Sequence, residues 1–242
     1  MKTRTPTLEH RYRSRPEIAN FSCNRYYFGR VKNHESVMRN DYTILPSNSH
    51  YLRPFMMFNL MNSEESMGRG KNQYSYKNQA EAEFVCNLIG YYVTRCSSPE
   101  LIRETLSRIG VITPYRGQIE AIENCFNKLA GIMRWGNEQY PCKIEVNSVD
   151  AFQGREKDII IFSCVRSGNR GGVQDETHTI GFLKDPRRLN VALTRAKYGL
   201  WVVGHGPTLQ NGSSDLRALL NYAKENQCFE FCRDASVPLG WV

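Results

Sequence analysis

The chain has 242 residues, of which 40% are hydrophobic, which is enough for the core of one large or two small domains. No run approaches the roughly 18 consecutive apolar residues of a membrane span, and residues 1–4 lack the apolar stretch of a signal peptide. These features exclude membrane-spanning and secreted classes, so we expect a soluble intracellular protein with no membrane partner. The formal net charge of +8 fits a polyanionic partner, although it equally fits a merely basic soluble protein.

Eight cysteines are spread through the chain without any C-x-x-C pair. The nearest two, Cys228 and Cys232, have no histidine cluster beside them, and Cys86 and Cys164 stand inside apolar runs. Such surroundings are typical of small buried side chains in a reducing compartment. We therefore expect neither disulfides nor a zinc site, and we predict no metal ligands.

The first part of the chain contains two helical segments separated by a polar stretch. Residues 16–28 begin with a proline and have helical apolar spacing, and residues 79–95 place apolar side chains on one helical face. Residues 29–75 are polar and irregular apart from a strand-like run at 54–60. Within this stretch, residues 62–74 are rich in Ser, Gly, Asn and charge, which predicts a flexible loop.

The second part of the chain alternates strands and helices. We expect strands at residues 111–113, 143–149, 159–162 and 199–203, helices at residues 117–130 and 186–197, and a flexible loop at residues 167–180. This alternation predicts one α/β domain over residues 1–242, with a mostly parallel sheet and helices on both faces. Since ligands gather at the carboxyl ends of strands in such folds, we expect the functional site there.

Residues 187–196 carry two arginines in a predicted helix. Arg188 and Arg195 are seven residues apart, so they would share a helical face two turns along. Two guanidinium groups on one rigid helix can clamp phosphates. The alternative is a solvated basic helix face, which the segment by itself favours.

Three shorter segments also have residues suited to ligands. In residues 147–158 a strand ends at a Gln-Gly turn, where Gly154 permits a positive φ angle or a close approach of the backbone. Another strand ends in Thr113 and Pro114 before a helix, and a hydroxyl with exposed amides at a helix start suits phosphate. Tyr12 lies between two arginines, so it can stack on a base while the charges hold phosphates. Each segment equally fits an ordinary turn, a simple connection or a basic arm.

Together these segments resemble superfamily 1 helicases, most closely the Upf1-like branch that includes the Sen1-like proteins. Residues 148–158 are similar to that branch's motif V, and residues 181–196 are similar to its motif VI. The resemblance extends from about residue 8 to about residue 224, with the motifs in the family's order. The other matches are Tyr12-Arg13 with Pro16, Ser75-Tyr76 with Asn78 and Glu81, and Thr113-Pro114-Tyr115 with Gln118.

The resemblance implies three residues that act on the phosphates. Arg195 resembles the arginine finger that reaches the γ-phosphate from a second domain. Arg13 resembles a second arginine on the same phosphate. Gln153 resembles the motif V residue that senses the cleft.

Further residues are implied to contact the rest of the ligands. Cofactor contacts are implied for Tyr12 on adenine, for Gly154 and Glu156 near the ribose, and for Arg188 as support. Contacts to the nucleic-acid backbone are implied for Thr113, Pro114, Ser148 and Val149.

The resemblance implies a RecA-like fold and the second motor domain of an ATP-dependent RNA helicase. No G-x-x-x-x-G-K-[ST] loop occurs in the chain, and residues 175–178 match an acidic box in letters only. ATP with Mg²⁺ is the implied cofactor, with the Mg²⁺ ligands on a first RecA-like domain in cis or in trans. One departure from the family pattern is Arg11, which stands where the family usually has Gln.

The implied nucleic acid is single-stranded RNA, with DNA as an alternative, because no residue is recognisable as reading a 2′-hydroxyl. The resemblance implies RNA surveillance, including nonsense-mediated decay, in the cytoplasm or the nucleus. We expect the isolated chain to be inactive as an ATPase. Two other functions stay open: a non-catalytic nucleic-acid-binding module, and half of a superfamily 1 DNA helicase.

Overall fold

A computed structural model of the protein describes residues 9–45, 52–69, 74–94, 96–132, 134–135, 138–139, 144–170, 173–174 and 180–236. These residues form a six-stranded parallel sheet with helices packed against it. The predicted α/β, RecA-like fold is confirmed. No helix in these ranges is both long and apolar enough to cross a bilayer.

The strands form one central sheet and four short two-stranded pairs. In chain order they are β1 (His10–Arg11), β2 (Lys32–Asn33), β3 (Phe55–Leu60), β4 (Glu65–Arg69), β5 (Tyr74–Asn78), β6 (Ile109–Ile112), β7 (Arg134–Trp135), β8 (Glu138–Gln139), β9 (Glu145–Asn147), β10 (Lys157–Ser163), β11 (Asn169–Arg170), β12 (Val173–Gln174), β13 (Ala196–Gly204) and β14 (Phe229–Cys232).

The central sheet has the strand order β14-β3-β13-β10-β6-β9, and every neighbouring pair is parallel. Its middle strands are continuous apolar runs, as is typical of strands covered on both faces. Trp201 of β13 is fully buried and pairs with Ile161 of β10 and Met56 of β3. The core therefore lies along these three strands.

The helices divide between the two faces of the sheet. In chain order they are α1 (Pro16–Tyr27), α2 (Glu35–Met38), α3 (Gln79–Val93), α4 (Pro99–Ser107), α5 (Arg116–Ile132), α6 (Pro186–Leu193), α7 (Gly206–Gly212) and α8 (Ser214–Glu225), with a 3₁₀ turn at Gly181–Lys184. The chain runs from β3 towards β9 through α3, α4 and α5, and returns towards β14 through α6, α7 and α8. Because crossovers between parallel strands are right-handed, this reversal places the two groups on opposite faces.

The predicted loop at residues 62–74 must be corrected, because residues 65–69 form β4 and pair antiparallel with β5. The cause is buried anchorage that the composition does not reveal: Glu65 is 6% exposed and forms a 2.6 Å ion pair with Arg166. In the predicted loop at 167–180, β11 and β12 pair with each other. The remainder of that loop includes residues 171–172 and 175–179, which lie outside the described ranges.

The predicted helix at residues 186–197 is wrong at its carboxyl end. Thr194, with φ −111° and ψ 13°, leaves the helical region, and Ala196 already pairs with Lys157 in the sheet. Strand pairing therefore overrides the helical pattern of the last residues. Arg195 lies in the turn between α6 and β13, so the prediction that it shares a helical face with Arg188 is also wrong.

The cysteines among the described residues carry free thiols. Six of the seven are buried, Cys125 is half-buried, and Cys142 lies outside the described residues. Burial raises the pKa of the Cys232 thiol to about 12. These thiols therefore behave as small core side chains.

Candidate functional site

Three residues predicted to contact the nucleotide, Arg195, Arg13 and Glu156, lie at the amino ends of the parallel strands. Arg195 directly precedes β13 and Glu156 directly precedes β10. Arg13 is held at the same edge because its neighbour Ser14 donates a 2.5 Å hydrogen bond to the carbonyl of Ala196. The expectation of a site at the carboxyl ends is therefore wrong for these residues, because here the turns that enter the strands carry the charges.

The guanidinium of Arg195 is half-buried and bonded to neutral oxygens. Its Nε donates to the carbonyl of Val191 at 3.1 Å, its Nη2 to the hydroxyl of Thr194 at 2.9 Å, and its Nη1 to the carbonyl of Arg155 at 3.5 Å. No ion pair joins it to a carboxylate within the described ranges. Burial lowers its pKa, and the nearby charge of Arg13 lowers it further. The group is thus a rigidly oriented cation whose charge is not neutralised by direct contact.

Arg13 shares a carboxylate with a lysine. Its Nε lies 2.5 Å from Oε2 of Glu156, and Nζ of Lys197 lies 3.0 Å from Oε1 of the same side chain. The hydrogen bond from Lys197, and then the one from Arg13, hold the pKa of Glu156 below its usual range. Arg13 also donates to the carbonyl of Thr194 at 3.3 Å, which sets it beside Arg195. Three cations and one carboxylate therefore meet at this edge.

Tyr12 presents an aromatic ring next to these cations. It follows β1, which pairs in parallel with β2, and its ring lies on that of His34 with 4.2 Å between centroids. The imidazole of His34 is held in place because its Nδ1 accepts a hydrogen bond from the amide of Ser36 at 3.2 Å. Tyr12 remains 59% exposed, so its ring is available to stack on a planar ligand.

Residues 148–156 run from the carboxyl end of β9 to the amino end of β10, and so connect the two edges of the sheet. Phe152 is fully buried and anchors the middle of this segment, while its neighbour Gln153 is exposed. Gly154 has φ +80°, which confirms the predicted positive angle, and no atom lies within 4 Å of an added Cβ. Its backbone conformation, not the space around it, requires glycine.

Arg188 lies near the start of α6 and contacts the other end of this segment. Its guanidinium lies 3.6 Å from the ring centroid of Phe182, and its Nη2 donates to Asp150 at 3.3 Å. The described contacts of Arg188 do not include the arginine pair at the amino edge. Its predicted supporting role would therefore act through Asp150.

The residues predicted to contact nucleic acid do follow the carboxyl ends of two strands, Thr113 and Pro114 after β6, and Ser148 and Val149 after β9. Pro114 and Ser148 are partly exposed, but Thr113 and Val149 are 0% and 2% exposed. The side chains of these last two residues are buried in this conformation, and their contacts with nucleic acid stay a prediction. The backbone amide of Thr113 donates a hydrogen bond to the carbonyl of Asn147 at 3.1 Å, which joins β6 to β9.

The motif residues Asn78, Glu81 and Gln118 form a buried polar network instead of a ligand site. Gln118 accepts a hydrogen bond from the Asn78 amide at 2.7 Å and donates to Ser163 at 3.1 Å. Glu81 accepts from Ser163 at 2.6 Å and from the amide of Val165 at 2.9 Å. Burial raises the pKa of Glu81 to about 7. These residues hold the end of β10 against α3 and α5.

Sequence reasoning missed two residues of the amino edge, Lys197 and His34. Lys197 could have been found from its spacing. Residues two apart in an extended segment point to the same side, and Lys197 comes two residues after Arg195. His34 had none, since its contact with Tyr12 depends on the pairing of β1 with β2.

Comparisons with known proteins agree with the motifs. Residues 1–207 match the family model described as an AAA domain. The chain is 37% identical over 227 residues to the Regulator of nonsense transcripts 1 homolog of Arabidopsis thaliana, covering 91% of this chain and 16% of that protein. It is 32% identical over 228 residues to Helicase SEN1 of Saccharomyces cerevisiae, covering 93% of this chain and 9% of that protein.

A further relative from Saccharomyces cerevisiae, ATP-dependent helicase NAM7, is 36% identical over 225 residues, covering 91% of this chain and 21% of that protein. The chain thus spans about a fifth or less of the length of these relatives. The family match over most of the chain, together with the order of its motifs, shows that it belongs to the AAA domain family as a Upf1-like superfamily 1 helicase domain.

Proposed function

We propose that this chain is the second motor domain of an ATP-dependent RNA helicase, supplying the arginine finger for ATP hydrolysis and part of the track that binds a single strand. The observation that carries this proposal is the position of Arg195. It is an oriented, half-buried cation beside Arg13, without a carboxylate partner among the described residues. Such a group suits an anion brought by another domain.

The chemistry requires cations that are fixed before the reaction begins. Hydrolysis transfers the γ-phosphoryl group of ATP to water, and charge spreads over its oxygens in the transition state. Arg195 would stabilise that charge, with Arg13 as a second cation, and a finger of this kind contributes ~10³–10⁵ in kcat. Because three neutral oxygens already orient Arg195, little reorganisation is needed when the phosphate arrives.

The remaining contacts to ATP would come from the same edge. Tyr12 would stack on adenine, Gly154 and Glu156 would lie near the ribose, and Gln153 would respond to the phosphate. No group of three or more His, Cys, Asp or Glu side chains suited to a metal lies within the described ranges. In line with the family resemblance and the lack of a G-x-x-x-x-G-K-[ST] motif, the proposal places the Mg²⁺ ligands and the phosphate-binding loop on a first RecA-like domain, in cis or in trans.

The strand-binding track would lie at the opposite edge. Pro114 and Ser148 are the partly exposed members of the predicted set there. Residues 148–156 join this edge to the cation cluster, so closure of the nucleotide cleft would move the track. We propose RNA surveillance in the cytoplasm or the nucleus as the setting, in line with the names of the relatives.

The test is an ATPase assay of the chain joined to the first motor domain of a Upf1-like relative. We expect ATP hydrolysis that single-stranded RNA stimulates, with a loss of about 10³-fold in kcat for Arg195→Ala. Arg187→Ala is the matched control, since Arg187 is exposed on α6 and its substitution should leave kcat unchanged.

The same assay tests the division of labour. The isolated chain should hydrolyse no ATP, and robust hydrolysis by it would refute the proposal. Salt-dependent RNA binding without hydrolysis in any joined protein would indicate a non-catalytic binding module instead. Equal stimulation by matched DNA strands would move the substrate assignment from RNA to nucleic acid in general.

A further inference from the structure

Glu156 neutralises two cations that the proposed ATP site would use. Its Oε2 lies 2.5 Å from Nε of Arg13, and its Oε1 lies 3.0 Å from Nζ of Lys197. The side chains of Arg13, Glu156 and Lys197 are 38%, 40% and 32% exposed, so a solute can reach all three. Both oxygens of the carboxylate are therefore occupied at a surface where phosphate would have to bind.

Arg195 is adjacent to this trio but has no share in the carboxylate by direct contact. Arg13 donates to the carbonyl of Thr194, while Arg195 donates to the hydroxyl of the same residue. Three positive charges thus stand near one negative charge. The cluster has the excess of positive charge that attracts a polyanion, yet two of its cations are already engaged.

A polyphosphate would compete directly with Glu156. Phosphate oxygens accept charge-assisted hydrogen bonds from guanidinium and ammonium groups in the same way as carboxylate oxygens do. A phosphate chain that reaches Arg195 would therefore meet Arg13 and Lys197 within the same cluster, and each added phosphate contact would replace one that Glu156 makes now.

We propose that Glu156 is a displaceable internal counter-ion of the phosphate site, and that Lys197 is a third cationic ligand that becomes available when a polyphosphate takes the place of this carboxylate. This inference rests on the proposed function, because it assumes that phosphates bind beside Arg195. It assigns Lys197 to the site and gives Glu156 a role that opposes binding, where the family resemblance implies a favourable contact with the ribose.

The test is isothermal titration of the 242-residue chain with inorganic tripolyphosphate and, separately, with ATP, both without Mg²⁺ at low salt. Tripolyphosphate has no ribose, so it isolates the effect of Glu156 on the phosphates. We expect Glu156→Gln to bind both ligands about two- to fivefold more tightly, the range that one exposed ion pair contributes. Lys197→Met should bind both more weakly by a similar factor.

Glu100→Gln is the matched control, because it removes the same charge from another exposed Glu–Arg pair, with Arg103 at 3.2 Å on α4. It should bind both ligands as the unchanged chain does. Thermal unfolding of each variant shows whether it is folded, and the opposite signs expected for Glu156→Gln and Lys197→Met cannot both arise from misfolding.

Several outcomes would overturn the inference. Unchanged or weaker binding of tripolyphosphate by Glu156→Gln would do so, as would unchanged binding by Lys197→Met or no measurable binding by either the unchanged chain or Glu156→Gln. A loss of affinity for ATP alone would support the ribose contact instead. None of these outcomes decides the proposed function, which is tested separately by the effect of Arg195→Ala on hydrolysis in the joined protein.

Discussion

The two edges of the sheet handle charge in opposite ways. At the amino edge, the half-exposed Arg13 pairs with the carboxylate of Glu156, and Arg195 beside it forms no ion pair among the described residues. At the carboxyl edge, the ion pair between Arg166 and Glu65 is buried, with side chains 6% and 1% exposed. The first arrangement leaves positive charge available for a ligand. In the second, Arg166 and Glu65 neutralise each other inside the protein. Similar residue types therefore indicate function at one edge and architecture at the other.

This contrast predicts different responses to the loss of an arginine. Arg166→Met would leave the Glu65 carboxylate buried beside an apolar side chain, so we expect the free energy of unfolding to fall by about 3–5 kcal/mol. Arg13→Met removes an exposed partner of Glu156 and should cost about 1 kcal/mol or less. Urea denaturation of both variants provides the measurement, and equal losses would show that the two edges do not differ as described.

The two edges should also differ in pH dependence. Burial raises the pKa of Glu81 from 4.5 to about 7, so between these values the folded protein binds a proton that the unfolded chain has lost. Its contribution to stability should therefore fall as pH rises through this window, by on the order of 3 kcal/mol in total. Glu156 has a lowered pKa, so its contribution is lost only as pH falls below 4.5.

The Glu81 contribution can be separated from other titrating groups. His205, whose pKa is lowered by burial, changes stability in the opposite direction over part of the same range. The difference in unfolding free energy between the unchanged chain and Glu81→Gln, measured from pH 4.5 to pH 7, cancels that effect. A difference that does not vary with pH would contradict the assignment.

A smaller effect is expected in the segment that connects the two edges. Gly154→Ala places a Cβ at φ +80°, which should cost roughly 1–2 kcal/mol although the surrounding space is empty. Gly154→Asn should cost less, because Asn tolerates the left-handed region better. Thermal unfolding compares the two variants, and a larger loss for Asn would mean that space, not conformation, limits this position.

The sequence predicted the core elements because local periodicity and buried packing agree there. The apolar run at residues 159–162 became part of β10, and the segment at 79–95 became α3, which ends at Val93. No helix was predicted at α4 or α8, although both are amphipathic. Element ends were less predictable, as the turn at Thr194 shows, because pairing of Ala196 with Lys157 decides where α6 stops.

The motifs named candidate residues for the site but did not predict how these residues are arranged. Arg195, Arg13 and Glu156 were identified from motifs, but their meeting depends on β10 and β13 being neighbours in the sheet. That pairing joins residues about forty positions apart, and no local pattern specifies it. The same limit explains why His34 was missed, because its contact with Tyr12 depends on the pairing of β1 with β2.

The most direct test of the finger is the affinity of the joined two-domain protein for ADP with aluminium fluoride, which mimics the γ-phosphoryl group in the transition state, compared with its affinity for ADP alone. Arg195 is expected to act on that group, so Arg195→Ala should weaken binding of the mimic by at least about 100-fold and leave ADP binding unchanged. Equal losses for the two ligands, or no loss for either, would contradict an arginine finger at this position.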